Sequence, residues 1–201
     1  IVGAGGLGSP IAIYLAAAGV GKIGIIDKDK VEISNLSRQI IFTTKDIKKS
    51  KSSTAINKLK KINQDLKFES FNMKLTKKNI KRIGKNFSII VDGSDNFRTR
   101  FLINDYCFKN KKILVSGAIS KFDGQVYTFN FLKKKSPCLR CFIPQMPPQD
   151  LDFDNCEYEG VLGPLGGVIG SIQANEIVKE ILGIGNSLCG YILIFDSLKT
   201  N

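Results

Sequence analysis

The sequence predicts an α/β fold: a mostly parallel sheet with helices on both faces and a strand-rich extension towards the C-terminus. Short apolar runs that are typical of buried strands alternate with longer segments of helical period. Such an alternation requires parallel strands that helices cover on both sides. The chain has 201 residues and is 43% hydrophobic, which suffices for one ordinary core. We therefore expect a single domain over residues 1–201.

The first predicted elements alternate between strand and helix. Residues 1–3 close a strand, and residues 7–19 form a helix with Ser9 as its N-cap. Residues 22–27 form a buried strand that ends in an acid, and a helix follows over 50–64. The apolar stripe of this second helix consists of Ala55, Ile56, Leu59 and Ile62.

The same alternation continues to the middle of the chain and then changes. The predicted elements are a strand over 67–73, a short basic helix over 76–84, a strand over 87–93, a helix over 96–110 and a strand over 112–117. Residues 118–132 favour strand, and the Pro-rich acidic residues 144–160 have no apolar period, so a mobile loop is expected there. A long apolar helix over 164–182 and a strand over 191–196 complete the prediction.

The composition narrows the classes of partner. The formal net charge is +12, but the lysines of residues 45–64 and 74–85 have helix-surface spacings and no interleaved aromatic residues. They indicate solvated faces, so we expect no nucleic-acid partner. No apolar run approaches the ~18 to 20 residues of a membrane helix, and we expect no membrane partner.

The cysteine and histidine counts restrict the chemistry. Five cysteines are an odd number in a chain without a secretory signal, which indicates reduced thiols rather than a disulfide framework. The lysine-rich composition suits the cytoplasm of an AT-rich bacterium or a plastid stroma. Because the chain has no histidine, any catalysis must depend on carboxylates, arginine, lysine or cysteine.

A glycine motif lies between the first strand and the first helix. Gly3, Gly5 and Gly8 have the G-x-G-x-x-G spacing, and Asp27 lies at the tip of the second strand, where it can accept hydrogen bonds from ribose hydroxyls. This pattern predicts a Rossmann-like nucleotide site. An NAD-dependent oxidoreductase fits these residues as well as any other nucleotide enzyme does, and a purely structural glycine turn is the remaining alternative.

Polar residues beyond the second strand favour phosphate chemistry over hydride transfer. Residues 34–39, "SNLSRQ", are too polar for a core, and the Arg38 guanidinium can stabilise developing phosphate charge. Lys51, at the start of the next helix, supplies a second cation. Each has a simpler explanation: Arg38 as a surface ion pair, and Lys51 as one more lysine on a basic helix.

Acidic residues follow the predicted strand over 87–93. Asp92, Asp95 and Asn96 lie at the carboxyl end of the sheet, the edge where open α/β folds bind ligands. Asp95 can hold Mg²⁺ through one carboxylate while water and phosphate supply the other ligands. The alternative is that Asp95 is the N-cap of a helix beginning at Asn96. Together with Arg38 and Lys51, these residues predict an ATP site.

Taken in order, several segments resemble the ThiF/MoeB/HesA family of ubiquitin-activating-type adenylyltransferases. They are "GAGGLGSPIAIYLAAAGVG", "IIDKDKVEISNLSRQIIFTTKDIKKSK", "VDGSDNFRTR", "VSGAI", "GQV", "CLRC" and "NCEYEGVLGPLGGVIGSIQANEIVK". The resemblance implies ATP-dependent adenylation of the C-terminal Gly-Gly carboxylate of a ubiquitin-like sulfur-carrier protein. A carboxylate nucleophile is ionised at pH 7, so a chain without histidine needs no general base for this reaction.

The resemblance also implies roles for individual residues. Gly6 lies against the nucleotide, Asp27 binds the ribose, and Asp95 with Asn96 positions Mg²⁺. The phosphates are held by Ser34, Asn35, Arg38 and Lys51. Ser37 departs from the glutamine often found in the family at this position, and its smaller side chain is expected to leave Arg38 in place.

Two cysteine features come with the resemblance. Cys138 and Cys141 form a C-x-x-C knuckle that in this family supplies half of a structural four-cysteine zinc site, with the second pair expected beyond Asn201. Cys156 matches the family cysteine that forms a covalent adduct with the carrier in some members. It lies among acidic residues that would raise a thiol pKa, so a dispensable loop thiol is the alternative.

The resemblance finally implies partners. These are a ThiS-like or MoaD-like carrier for thiamin or molybdopterin synthesis, a second copy of the chain in a homodimer, and a possible sulfurtransferase. A helix upstream of Ile1 is expected to supply an arginine to the partner's ATP site, so the isolated segment would be inactive or weak. The segment "IIFTTKDI" slightly favours the carrier of thiamin synthesis over that of molybdopterin synthesis. A non-catalytic scaffold that binds a ubiquitin-like protein remains an alternative.

Overall fold

The computed structural model describes residues 1–147 and 160–200. The strands are β1 (Lys22–Ile26), β2 (Lys67–Phe71), β3 (Ile89–Asp92), β4 (Ile113–Ser120), β5 (Asp123–Asn130) and β6 (Ile192–Asp196). The helices are α1 (Gly8–Ala17), α2 (Lys51–Ile62), α3 (Ile80–Gly84), α4 (Phe97–Lys109), α5 (Leu139–Phe142) and α6 (Gly163–Leu182). Short 3₁₀ helices span Ile33–Ser37 and Thr44–Asp46.

The chain at Val2 lies at the centre of the sheet. Val2 pairs in parallel with Ile26 of β1 and with Asp92 of β3. Its N–H donates to the carbonyl of Val91 at 2.8 Å, and the N–H of Gly3 donates to the carbonyl of Ile26 at 2.9 Å. The sheet order is therefore β2, β1, the chain at Val2, β3, β4, β5 and β6. The glycine motif thus begins in the middle of the sheet.

The sheet is parallel in its first part and antiparallel in its last. β1 pairs with β2 and β3 with β4 in parallel, whereas β5 runs antiparallel to both β4 and β6. Helices α1, α2 and α6 pack on one face, around Ile11, Leu59 and Ile169. Helices α3, α4 and α5 pack on the other, around Phe101 and Ile103. The predicted fold class is confirmed, including the strand-rich extension.

Two local predictions were wrong. Ser9 is not the N-cap of α1: the cap position is Leu7, and Ser9 is a buried residue of the first turn. The helix starts directly from the glycine loop, so no side chain caps its first N–H groups. Ile62 is 46% exposed, whereas Ala55, Ile56 and Leu59 are buried as predicted. The chain turns away after Ile62, and the Asn63 amide donates to the carbonyl of Ala16 at 3.3 Å.

Other differences are confined to boundaries. The helix predicted over 76–84 begins at Ile80, because the Asn79 side chain accepts the N–H of Thr76 at 2.8 Å and closes a turn first. Most of the loop predicted over 144–160 lies outside the described residues. Among the described residues, no helix is both long enough and apolar enough to cross a membrane.

Two glycines of α6 allow this helix to lie directly on the glycine loop. A Cβ built on Gly166 would be 3.0 Å from the carbonyl oxygen of Gly6. A Cβ on Gly170 would be 2.8 Å from the carbonyl oxygen of Leu7. Both contacts are with backbone, which cannot rotate away as a side chain can. The last helix of the described chain therefore supports its first loop.

Candidate functional site

A polar cleft lies at the carboxyl ends of β1, β3 and the chain at Val2. This is the edge of an open α/β sheet at which ligands bind. The cleft brings together eight of the residues that the sequence analysis selected. They are Gly3, Gly5, Gly6, Asp27, Arg38, Lys51, Asp95 and Asn96. Ser34 and Asn35 do not line it.

The glycine loop forms one wall of the cleft. Gly3 has a φ of +91°, and a Cβ there would be 2.8 Å from the carbonyl oxygen of Gly93. Within the described part of the chain, no acceptor pairs with the backbone N–H groups of Gly5, Gly6 and Leu7. These donors precede the N-terminus of α1, where the helix dipole also favours an anion. The loop is therefore suited to bind phosphate.

Asp27 follows β1 and lies opposite the glycine loop. Its carboxylate oxygens accept the N–H of Ala4 and the N–H of Asp29, each at 2.8 Å. Burial raises the pKa of Asp27, and this effect outweighs the two hydrogen bonds and the nearby Lys51, which lower it. The two backbone bonds fix the carboxylate in an orientation that leaves lone pairs for ribose hydroxyls.

Lys51 is brought to the cleft by the connection between β1 and α2. Its backbone N–H donates to the carbonyl of Asp29 at 2.9 Å, and Lys30 pairs with Ser50. Only 8% of Lys51 is exposed, and no carboxylate of residues 1–147 or 160–200 forms a salt bridge with it. A cation at the N-terminus of a helix is unfavourable to the helix dipole. A bound phosphate beside Lys51 would offset both the burial of its charge and its unfavourable position at the helix N-terminus. We therefore favour a phosphate-binding role for Lys51 over that of a surface lysine.

Arg38 lies under the glycine loop. Cγ of Arg38 is 3.6 Å from where a Cβ on Gly6 would lie, so the Arg38 side chain runs beside Gly6. Nη1 of Arg38 donates to the carbonyl of Ser34 at 3.2 Å. No ion pair of Arg38 is found among the described residues, so the structure gives no support to the surface ion-pair alternative.

Asn35 is buried and its side-chain oxygen is bonded within the turn. Its Oδ1 accepts the N–H of Glu32 at 3.1 Å, and its carbonyl oxygen accepts the N–H groups of Arg38 at 3.2 Å and Gln39 at 2.8 Å. Asn35 therefore shapes the turn that presents Arg38, while Ser34 contributes the carbonyl oxygen to which Arg38 is bonded. Neither side chain lines the cleft, and the phosphate contacts that the resemblance implied for them stay predictions.

The loop after β3 is held by a buried carboxylate. Oδ1 of Asp92 accepts the N–H of Ser94 at 3.0 Å and its hydroxyl at 2.6 Å. Oδ2 accepts the hydroxyl of Ser116 at 2.7 Å. The carbonyl oxygen of Asp92 accepts Nε2 of Gln173, from α6, at 3.0 Å. Asp92 thus orients the loop and leaves Asp95 to face the cleft.

Asp95 is exposed at the mouth of this loop. Oδ1 accepts Nδ2 of Asn96 at 3.1 Å. The N-cap of α4 is Asn96, whose Oδ1 accepts the N–H of Thr99 at 2.9 Å. The alternative in which Asp95 caps the helix is therefore wrong. No cluster of three or more potential metal ligands is present in the part of the chain that the structure describes. A single carboxylate suits Mg²⁺, which is commonly bound through one or two carboxylates, water and phosphate.

The C-x-x-C pair is docked on α4. The Sγ atoms of Cys138 and Cys141 are 3.7 Å apart. The N–H of Leu139 donates to Oδ1 of Asn104 at 2.9 Å, and Arg140 makes two 2.8 Å bonds to Asp105. The four described cysteines form no disulfide.

Cys107 and Cys156 lie outside the C-x-x-C pair, and the structure describes only the first of them. Burial raises the pKa of Cys107 to about 12, which makes that thiol unreactive at neutral pH. Cys156, the candidate for a covalent adduct, lies outside the described residues, as do its acidic neighbours.

Several cleft residues were not selected from the sequence. Gln39 lies within "SNLSRQ" but had no assigned role. Arg100 donates from Nη2 to the carbonyl of Ser94 at 3.2 Å and so supports the loop that holds Asp95. Residues 73–75 and Thr99 also line the cleft. Gln39, Thr99 and Arg100 all lay within segments that carry the family resemblance but had no assigned role, whereas nothing in the sequence marked residues 73–75.

The chain is similar throughout its length to proteins of one family. It matches the ThiF family over residues 1–201. It is 42% identical to a sulfur carrier protein adenylyltransferase of Thermus thermophilus, over all of this chain and 75% of that protein. It is 46% identical to a probable molybdopterin-synthase adenylyltransferase of Porphyra purpurea, over 98% of this chain and 51% of that protein.

A third relative is larger. The adenylyltransferase and sulfurtransferase MOCS3 of Culex quinquefasciatus is 43% identical over all of this chain and 45% of its own length. The chain thus spans about half the length of the Porphyra and Culex proteins. A solved structure titled E. coli MccB with ATP superposes with a TM-score of 0.84 and 20% identity, over all of this chain and 61% of that one. At that identity the superposition supports the fold alone.

Proposed function

Since this chain belongs to the ThiF family, we propose that it uses ATP to adenylate the C-terminal Gly-Gly carboxylate of a ubiquitin-like sulfur-carrier protein. The observation that supports this best is the set of groups in one cleft. Unpaired N–H donors, a ribose acceptor, two cations and an exposed carboxylate are all present there. A dehydrogenase would use the first two, but it has no need of the others.

The proposed reaction is a displacement at the α-phosphorus of ATP. A carrier carboxylate oxygen forms a bond to that phosphorus while the bond to the bridging oxygen of the β-phosphate breaks. The products are the acyl-adenylate and pyrophosphate, which leaves with the electron pair of the broken bond. No proton moves, because the carboxylate is already ionised at neutral pH. A chain without histidine can therefore promote the reaction by positioning and electrostatics.

Each element of the cleft has a role in this proposal. Asp27 accepts hydrogen bonds from the ribose hydroxyls and holds the nucleoside in register. The N–H groups of Gly5 and Gly6, the Arg38 guanidinium and the Lys51 ammonium bind the phosphates and stabilise the charge that develops on the leaving pyrophosphate. The Lys51 charge is almost enclosed by protein, so it is less screened than a surface lysine would be.

The exposed Asp95 carboxylate fits a magnesium ion that also binds phosphate oxygens. When bound, Mg²⁺ would neutralise phosphate charge in the cleft. Asp95 would hold it, and Asn96 would keep the carboxylate oriented through its side-chain amide. The Asp92 network and Arg100 keep this loop in place.

An exchange assay tests the function. The natural full-length protein is incubated with ATP, Mg²⁺ and labelled pyrophosphate, with a ThiS-like or a MoaD-like carrier ending in Gly-Gly. We expect label to enter ATP only with a carrier, and the carrier that supports exchange identifies the branch. A carrier without its terminal Gly-Gly is the matched control. Carrier binding without any exchange would contradict the proposal and favour the scaffold alternative.

We also propose that Cys138 and Cys141 supply two ligands of a structural zinc site. Two thiolates on tetrahedral Zn²⁺, with Zn–S bonds of ~2.3 Å, lie about 3.8 Å apart. The observed Sγ–Sγ distance of 3.7 Å matches this value without any rearrangement. The contacts of Leu139 and Arg140 with α4 hold the pair in that position.

Elemental analysis tests the zinc proposal. We expect about one zinc per full-length chain and its loss in Cys138→Ser, because removing one thiolate leaves an incomplete tetrahedral set. Cys189→Ser, which changes a half-buried free thiol outside the pair, is the matched control and should keep its zinc. Wild-type protein without zinc, or full zinc in Cys138→Ser, would contradict it.

A further inference from the structure

We propose that Gln173 of α6 is a positioning residue for the loop after β3, because its amide fixes the end of the strand that leads to Asp95. The inference rests on the proposed function, since it takes ATP and Mg²⁺ as the ligands of the cleft. It extends that function by assigning to α6 the task of setting the glycine loop and the Asp95 loop relative to each other.

Gln173 bonds to the last peptide group of β3. The residue is 0% exposed, and its Nε2 donates to the carbonyl oxygen of Asp92 at 3.0 Å. The N–H of the same peptide group belongs to Gly93 and donates to the carbonyl of Val2 at 2.9 Å. The peptide group at which the loop leaves the sheet is therefore held both by the central strand and by α6. Because Asp95 follows directly after Gly93 and Ser94, its position depends on how this group is oriented.

Strand β4 has a glycine where the amide of Gln173 needs room. A Cβ built on Gly117 would be 2.3 Å from Oε1 of Gln173 and 2.5 Å from its amide carbon. Glycine inside a strand is unfavourable, because it has no side chain to pack and loses more conformational freedom on folding than other residues. The φ of Gly117 is not positive, so its backbone conformation does not require glycine. The contact with Gln173 is what explains the glycine.

Packing alone does not explain an amide at this position. Ile169 and Ile177, one turn before and one turn after Gln173, are buried in the apolar core. A methionine of similar volume would fill the same space. Oε1 of Gln173 has no partner among residues 1–147 and 160–200, and an unpaired buried acceptor is destabilising. The bond from Nε2 to Asp92 is the interaction that a methionine could not make.

The face of α6 that carries Gln173 also contacts the glycine loop. Gly166, Gly170 and Gln173 have the spacing of residues that share one face of a helix. Gly166 and Gly170 lie against the backbone of the glycine loop, and Gln173 lies against the end of β3. One helix face thus contacts both loops of the cleft. It sets the distance between the phosphate-binding N–H groups and the carboxylate that would hold Mg²⁺.

Calorimetric titration of ATP into the natural full-length protein, with and without Mg²⁺, tests the proposal. Without Mg²⁺, Gln173→Met should bind ATP within about twofold of the wild type, because the glycine loop, Arg38 and Lys51 are unchanged. The gain in ATP affinity on adding Mg²⁺ should be about fivefold smaller than in the wild type, which is the usual effect of losing one hydrogen bond. A merely structural role would change both affinities alike or leave both unchanged.

Gly117→Ala disturbs the same contact from the side of β4. The added methyl group would displace the amide of Gln173, so we expect the same selective loss of the Mg²⁺ effect. The double variant Gly117→Ala/Gln173→Met should lose no more of this effect than Gln173→Met alone, because both substitutions remove one and the same bond.

Ile177→Val is the matched control for a loss of stability. It removes one buried methylene group from α6, one turn beyond Gln173, and should lower the melting temperature by about 3 °C. Its ATP affinity should respond to Mg²⁺ as that of the wild type does, because the bond to Asp92 is intact.

The outcomes separate this inference from the proposed function. A wild-type Mg²⁺ effect in Gln173→Met, or an equal loss of ATP affinity with and without Mg²⁺, would overturn the role of Gln173 and leave the function standing. Gly117→Ala decides in the same way if Gln173→Met does not fold. A wild-type protein that binds no ATP under either condition would overturn both.

Discussion

Asp95→Ala is expected to lower carrier-dependent ATP–pyrophosphate exchange at least ~100-fold, the effect of losing a group that positions a metal and its charge at a phosphoryl centre. The structure gives the reason for a selective loss. The Asp95 carboxylate is exposed at the cleft, and its only described bond is to the neighbouring Asn96. It does not cap α4, so its removal should leave the helix and the fold intact.

The control for this experiment is an aspartate that faces solvent elsewhere. Asp65 is exposed on the connection between α2 and β2, and Asp65→Ala should exchange at the wild-type rate. Both variants should melt within about 1 °C of the wild type, because surface substitutions away from caps and networks change the free energy of unfolding little. If Asp95→Ala exchanges as fast as the wild type, the magnesium assignment is wrong.

The fold was predictable from the sequence where the information is local. The strand before the glycines, the helix after them and the acid at the tip of β1 are all set by spacing within about thirty residues. The carboxyl-end positions of Asp27 and Asp95 then follow from parallel pairing, because parallel strands place their ends at one edge. The cleft that joins these two residues was therefore predictable from the amino-acid sequence alone.

What the sequence could not show depends on contacts between distant segments. Gln173 and Ser116 hold Asp92 from α6 and β4, so neither could be linked to the loop by spacing. Asn35 was expected to bind phosphate because of its motif. In the structure its Oδ1 also accepts the N–H of Glu32, within the bend that presents Arg38. A motif gives the residue types, but the turn decides which of them face the ligand.

The close contact between α6 and the glycine loop could not be predicted from the sequence either. Gly166 and Gly170 have the spacing of a helix face, and the sequence predicted the helix but not its neighbour. The need for glycine at these two positions is visible only in the structure. A Cβ on either residue would lie 3.0 Å or less from a backbone oxygen of Gly6 or Leu7. Such approaches depend on the packing of whole helices, which composition and periodicity do not encode.

Gly8→Ala is expected to destabilise the protein and weaken nucleotide binding together. A Cβ built on Gly8 would lie 2.9 Å from the carbonyl carbon of Gly3 and still closer to its oxygen. Both are backbone atoms of the central strand, so the overlap can be relieved only by moving the start of α1. Alanine is favoured over glycine within a helix by about 1 kcal/mol. Overpacking against backbone costs about 3 kcal/mol, so the clash outweighs the gain.

The matched control for Gly8→Ala is Gly21→Ala. No atom lies within 4 Å of a Cβ built on Gly21, and its φ is not positive, so this substitution should leave the melting temperature unchanged or raise it slightly. For Gly8→Ala the net cost of about 2 kcal/mol should lower the melting temperature by about 6 °C. Nucleotide affinity should fall as well, because moving α1 displaces the unpaired N–H groups of Gly5, Gly6 and Leu7. Unchanged stability and unchanged ATP affinity in this variant would mean that the contact between Gly3 and Gly8 does not hold the phosphate-binding loop in place.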